Sequence, residues 1–336
     1  MERKRIRLGH IGTAHDHSTG FLDCVRKFPD VFELVGVVEP NQSLREKNMG
    51  KPPYDGLQWM TEQELFDAGV DAVQVESFEL DLVRDALHWA ERGVHLHIDK
   101  PAGGSLEEFS TLLNVAREKD LVVQMGYMYR YNKAVLRSLE LARSGELGEI
   151  YQVDAVMNTQ HSADKRRWLG HFEGGNMFFL GCHMVDLVYL FQGIPNKVTA
   201  LNRSTGFDGV KVEDLGMALF EYDHGISTVR ATSTEINGYG RRQLVICGSK
   251  GSVEIKPLEN PTEMTVSFAT DTAGKEYSDC KKRLQLPDQG GRYDDMMLDF
   301  AAFIRGEKRN PYDYDYEYQL HKLVLAACGQ NYDVNV

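Results

Sequence analysis

Apolar and polar positions change rhythm once along the chain, near residue 126. Before that point, short apolar runs alternate with stretches whose apolar residues recur every three or four positions. The runs at 6–11, 32–38, 72–75, 94–98 and 121–126 read as buried strands, and the stretches at 19–28, 81–92 and 106–119 as amphipathic helices. Ser105, with Glu108 three positions on, has the spacing of a capping box, and Gly93 ends the helix before it. A loop containing Pro52-Pro53 follows the second strand. Strands alternating with helices in this way predict a parallel sheet covered on both faces.

Beyond residue 126 a helix over 133–144 ends at Gly145, and strand-like segments then dominate: 150–157, 197–203, 215–222, 226–234, 243–247, 252–255 and 264–269. Some alternate strictly, with Val229 and Ala231 set against Thr228, Arg230 and Thr232. That suits an antiparallel sheet with one covered face. Helices over 293–305 and 316–328 follow. The expected architecture is α/β plus α+β. A dinucleotide-binding parallel-sheet domain spans 1–126, and a mainly antiparallel open-sheet domain for substrate and oligomer contacts spans 127–336.

The totals narrow the function. With 336 residues, 42% apolar and 26% charged, the chain has material for two globular cores. Its net charge is −12 and no Lys/Arg stripe follows the short start Arg3-Lys4-Arg5, so no nucleic-acid partner is expected. No apolar run approaches the roughly 18 to 20 residues of a bilayer span, and no leader-like segment follows the first charges. Cys24, Cys182, Cys247, Cys280 and Cys328 are odd in number and lack C-x-x-C spacing, which predicts reduced thiols and a cytoplasmic protein.

Candidate chemistry starts where the first strand enters Gly12-Thr13-Ala14-His15-Asp16-His17 and a helix follows, the place of a dinucleotide's diphosphate. Of the G-x-G-x-x-G fingerprint only Gly12 remains; Ala14 and His17 replace the other two glycines. The second strand ends Val37-Val38-Glu39, an acid at the distance from the turn that a ribose 2′-OH contact requires. Pro40-Asn41-Gln42 offers no arginine for a 2′-phosphate, so NAD is expected over NADP. His15-x-His17 has chelating spacing. It sits in a turn entering a helix, however, with no further ligands close in sequence, so no metal is expected and the pair reads as polar lining of the cofactor pocket.

The strand at 94–98 runs into Asp99-Lys100-Pro101. Ligands of doubly wound sheets bind outside the carboxyl ends of strands, which is where Lys100 falls, and Pro101 disfavours a helical conformation there. Far downstream, His183 and Asp186 lie three apart in an otherwise apolar stretch, so they share a helix face and suit an oriented base.

Read in order, these segments resemble the Gfo/Idh/MocA family of glucose–fructose oxidoreductase and inositol dehydrogenase, over nearly the whole chain. Asp99-Lys100-Pro101 stands for the family's E-K-P, and Gly126-Tyr127-Met128-Tyr129-Arg130-Tyr131 for G-Y-x-x-R-F. Gly174-Gly175 followed by Gly181-Cys182-His183-Met184-Val185-Asp186 stands for G-G-…-G-x-H-x-x-D. The resemblance implies an NAD-dependent dehydrogenase that takes hydride from a secondary alcohol of a sugar, cyclic polyol or glycoside. Lys100 then stabilises the developing alkoxide and His183 is the general base. By the same resemblance Gly12, Thr13, Ala14, His15, Glu39, Ser77 and Lys100 lie at the cofactor. Arg130, Asn132, Trp168 and Asp186 lie at the substrate, Asp186 bonding either substrate or His183. A homo-oligomer, dimer or tetramer, is implied as well.

Two departures stand out besides the eroded glycine turn. Phe179 occupies the place, four residues before the histidine, where members with the fullest site carry an acid, and Ser77-Phe78 replaces Thr-Pro. They leave two alternatives: an NAD-dependent glycosidase working by transient oxidation and elimination, and a non-catalytic relative that binds nucleotide or sugar.

Overall fold

Six short strands, four of them buried along nearly their whole length, form the first sheet of the computed structural model, which describes residues 4–272, 274–277 and 279–335. Arg3 lies outside the described residues. The elements run β1 (Ile6–Ile11), α1 (Ser18–Arg26), β2 (Phe32–Val38), α2 (Gln42–Asn48), β3 (Trp59–Met60), α3 (Glu62–Asp67), β4 (Ala72–Val75), α4 (Leu82–Glu91), β5 (His95–Ile98), α5 (Leu106–Glu118) and β6 (Val123–Met125). Their order in the sheet is β3-β2-β1-β4-β5-β6 and every pairing is parallel. This is the Rossmann-type order, with its reversal between β1 and β4. The amphipathic pattern holds: α4 buries Leu82, Val83, Ala86, Trp89 and Ala90 along one stripe.

Helix starts follow side-chain chemistry. The Ser105 hydroxyl accepts from the Glu108 N–H at 3.2 Å, one half of the expected box. A complete capping box sits instead at Thr61 and Glu64, in the region read only as a loop.

The second sheet has eight strands. They are β7 (Ile150–Val156), β8 (Lys197–Ala200), β9 (Leu215–Tyr222), β10 (Gly225–Thr232), β11 (Gln243–Gly248), β12 (Gly251–Ile255), β13 (Glu263–Phe268) and β14 (Lys282–Gln285). The order is β14-β13-β12-β11-β7-β10-β9-β8, antiparallel throughout except for β7 beside β10. Ser227, Val229 and Ala231 are buried while Ile226, Thr228 and Arg230 are not, the alternation of a sheet with one covered face. The helices are α6 (Lys133–Arg143), α7 (Ala163–Trp168), α8 (Cys182–Gln192), α9 (Asp294–Ile304) and α10 (Tyr314–Cys328). The face of β7 and β10 is covered by α8 and the π-helical turn Met177–Gly181 that leads into it. Among the described residues no helix is long and apolar enough to cross a membrane, and no disulfide joins the five cysteines.

The chain divides into two compact units: residues up to Met128 with Gly290–Tyr318, and Tyr129–Gln289 with the residues from Gln319 on. The chain first crosses between them after Met128, and α9 returns to the first unit. It does so because Tyr293, just before α9, stacks on Phe21 of α1 with ring centroids 4.0 Å apart.

Each unit buries a histidine whose burial pushes its pKa from 6.5 down to about 3: His10, on β1, and His321, on α10. An imidazole that stays neutral when folded costs nothing above pH 6.5. Below it the unfolded chain binds a proton that the folded one refuses, so stability falls as pH drops from 6.5 towards 3. The expected slope is about 1.4 kcal/mol per pH unit for each group. Urea midpoints measured at pH 7.5, 6 and 5 test this, and a flat profile refutes it.

Candidate functional site

The first unit gathers polar side chains at the carboxyl ends of β1, β2, β4 and β5. Gly12 closes β1 with φ of 78°, and a Cβ there would lie 2.6 Å from the Ser77 backbone, so the turn passes too close to the end of β4 for any side chain. Glu39, at the end of β2, is buried. One carboxylate oxygen accepts from the Thr13 N–H at 2.7 Å and the Thr13 hydroxyl at 2.8 Å, and the other from the Asn41 N–H at 2.9 Å. An acid so placed fits the ribose end of a dinucleotide, whose diol can take over as donor. Ser77 donates to Asp85 at 2.5 Å.

His15 turns inward. Its Nδ1 lies 2.8 Å from Asp99 Oδ2, its Nε2 donates to the Lys100 carbonyl at 3.2 Å, and both side chains are fully buried. His17 places its own Nδ1 2.9 Å from the same Asp99 oxygen. Glu76 and Glu79, at and just past the end of β4, each come within 3.7 Å of His15. Burial and the neighbouring Asp99 charge push Glu76 well above the usual carboxylate range. Burial acts the same way on Asp99, but the two imidazoles outweigh it and hold that carboxyl well below. Lys100 is itself fully buried at the end of β5.

Sequence reading named Gly12, Thr13, Ala14, His15, Glu39, Ser77 and Lys100 here, and the fold brings the β1 turn and the ends of β2, β4 and β5 together. It did not name Glu76, Glu79, Asp99 or His17 as partners of one another. The available signal was an acid at the end of each of two adjacent apolar strands.

In the second unit the motif glycines have steric reasons. A Cβ on Gly174 would meet Cys328 at 2.6 Å, and one on Gly175 would meet the Glu213 carbonyl at 2.2 Å. The π-helical turn then delivers His183 to the first turn of α8, buried, with the Tyr129 ring edge-on at 5.2 Å. Tyr129 donates to Glu259, which also takes a bond from Arg242. Asp186 accepts from Arg130 Nε at 3.0 and 3.1 Å and from Nη2 at 2.8 Å. Asn132 caps α6, accepting from the Ala134 and Val135 N–H groups and donating to the Leu258 carbonyl. Trp168 is half-buried, its ring edge-on to Phe172 and Phe179, with Lys165 Nζ 3.5 Å from its centroid. Thus Phe179 belongs to an aromatic cluster where an acid would have stood.

Comparison with known proteins adds the following. The family model described as "GFO/IDH/MocA C-terminal domain" matches residues 135–254. A D-xylose 1-dehydrogenase (NADP(+)) of Haloferax volcanii is 30% identical over 218 residues, covering 62% of this chain and 64% of that protein. A scyllo-inositol 2-dehydrogenase (NAD(+)) of Bacillus subtilis is 26% identical over 244 residues, covering 68% and 67%. The solved structure of a levoglucosan dehydrogenase in complex with NADH and L-sorbose superposes with a TM-score of 0.82 at 18% identity. It covers 99% of this chain and 100% of that one, a likeness of fold. The chain spans from just over half to just under two thirds of the length of the first curated relatives it matches.

Proposed function

We propose that this chain, which belongs to the Gfo/Idh/MocA oxidoreductase family, is a dehydrogenase that moves hydride from a secondary alcohol of a sugar or cyclic polyol to NAD⁺. The observation that supports this most is Lys100, wholly buried at the carboxyl end of β5 in a sheet of Rossmann order. Nicotinamide, when bound, supplies the acceptor for the carbinol hydride.

The chain's own residues do the rest. Lys100 donates a hydrogen bond to the reacting oxygen and steadies the charge that develops on it. His183 takes the hydroxyl proton, a task suited to an imidazole near neutral pH. Gly12, Thr13, Ala14, His15 and Ser77 line the cofactor side, and Glu39 holds the ribose, which favours NAD over NADP. Trp168 offers its ring to the sugar. Asn132, Arg130 and Asp186 serve the substrate side with it. The apolar residues left exposed on the sheet, Tyr151 of β7 and Ile226 of β10, suit a homo-oligomer contact, and reduced thiols suit the cytoplasm.

The test is direct. The protein is incubated with NAD⁺ or NADP⁺ and a panel of monosaccharides, inositols and glycosides while NADH or NADPH formation is followed. Turnover of at least one member, with NAD⁺ preferred, is the expected result; no reduced cofactor with any member refutes the reading.

A further inference from the structure

We propose that the first unit carries a site for a divalent first-row transition metal, with His15, His17 and Asp99 as ligands and Glu76 as the nearest additional carboxylate. The inference rests on the arrangement of donors at the ends of β1, β4 and β5, independently of hydride transfer.

The three ligand atoms lie within 4.8 Å of one another, and Asp99 Oδ2 sits between the two rings, 2.8 Å from His15 Nδ1 and 2.9 Å from His17 Nδ1. Nε2 of His15 faces the Lys100 carbonyl at 3.2 Å, which leaves Nδ1 on the side of Asp99 Oδ2. Two imidazole nitrogens and one carboxylate oxygen thus face one another, the donor set of a transition-metal site.

The outer partners are those of a prepared site. Asp99 Oδ1 accepts from the Lys100 N–H at 2.7 Å, which leaves Oδ2 for the ion, and the His15 N–H is tied to the Glu76 carbonyl at 3.0 Å. Glu79 is 1% exposed, and one of its carboxylate oxygens lies 3.7 Å from His15 Nε2, the nitrogen that faces the Lys100 carbonyl. Asp99, Glu76 and Glu79 put three carboxyl groups in the buried space around the two imidazoles. Two nitrogens and a carboxylate suit zinc, cobalt, iron or manganese better than calcium or magnesium, which prefer oxygen alone.

Sequence reading set the H-x-H pair aside because no further ligand lay near it. Asp99 is brought to it from β5, more than eighty positions along the chain.

The test uses the full chain without nucleotide or sugar, so its failure and the failure of the dehydrogenase reading are separate results. Protein stripped with a chelator is titrated with Co²⁺ while its visible ligand-field absorption is followed, and Zn²⁺ is added as competitor. One Co²⁺ per chain, displaced by one Zn²⁺, is expected. Asp99→Asn and His17→Ala are each expected to lose more affinity than the roughly 10- to 100-fold that follows loss of an outer partner. His224→Ala, at an exposed position of the other unit, is expected to bind as the parent does. If Asp99→Asn does not fold, His17→Gln, whose parent side chain is 20% exposed, answers the same question. No stoichiometric uptake by the parent, or uptake unchanged in the folded His17 variants, overturns the proposal.

Discussion

Replacing Lys100 by alanine or methionine is expected to lower turnover with the best sugar by about 10²- to 10³-fold or more, the loss typical of removing one donor aimed at developing charge. The ammonium is buried at a strand end, where water contributes little and a fixed charge is worth far more than at the surface. Both variants are needed because they separate two costs. Alanine removes the charge and leaves a cavity; methionine removes the charge and keeps most of the volume. If Lys100 acts on the reacting oxygen, the two lose kcat to a similar extent although alanine unfolds at a lower temperature. Since the interaction strengthens as charge develops, the loss should appear in kcat and kcat/KM alike, with KM little changed. Steady-state kinetics alongside thermal unfolding decide the matter. A methionine variant with near-parental kcat refutes the assignment.

How much of this was legible beforehand depended on whether the signal was local. Strands such as Phe32–Val38 and Leu215–Tyr222 could be bounded from the chain because a buried run or a strict alternation is written in consecutive residues. The short α3 escaped because only Leu65 of its residues is buried, so its apolar stripe has a single member; Thr61 and Glu64 were its one readable mark. The return of α9 to the first unit escaped for another reason. Helical periodicity shows that a face is apolar, but not that Phe21 and Tyr293 will stack across some 270 positions. The candidate sites divide in the same way. Lys100 at a strand end and His183 on a helix are local facts. The partners that define their surroundings, Asp99 for His15 and His17 and Arg130 for Asp186, are set by the fold and have no trace in spacing. For that reason, too, residues read as facing substrate proved to be engaged with one another.

Arg130 and Asp186 lead to the second large effect, on stability. Each side chain is at most 2% exposed, and the guanidinium gives three hydrogen bonds to the carboxylate, so neither charge has water to fall back on. Removing either partner takes three charge-assisted hydrogen bonds from the other in a medium that solvates it poorly; Arg130→Met or Asp186→Leu alone is therefore expected to cost about 3 to 5 kcal/mol in urea unfolding. Removing both should cost much less than the sum, because the pair repays its own desolvation only in part and a packed apolar pair does not incur that cost. The sign of this coupling distinguishes a structural clamp from a pair held apart for substrate. Asp186 is on the same helix as His183, one turn on, and Arg130 is next to Tyr129, whose ring meets His183. A clamp at this point fixes the imidazole's position, so the double variant should regain most of the stability and little of the turnover. A double variant as unstable as the sum of its parts would mean that the two charges are not each other's partners.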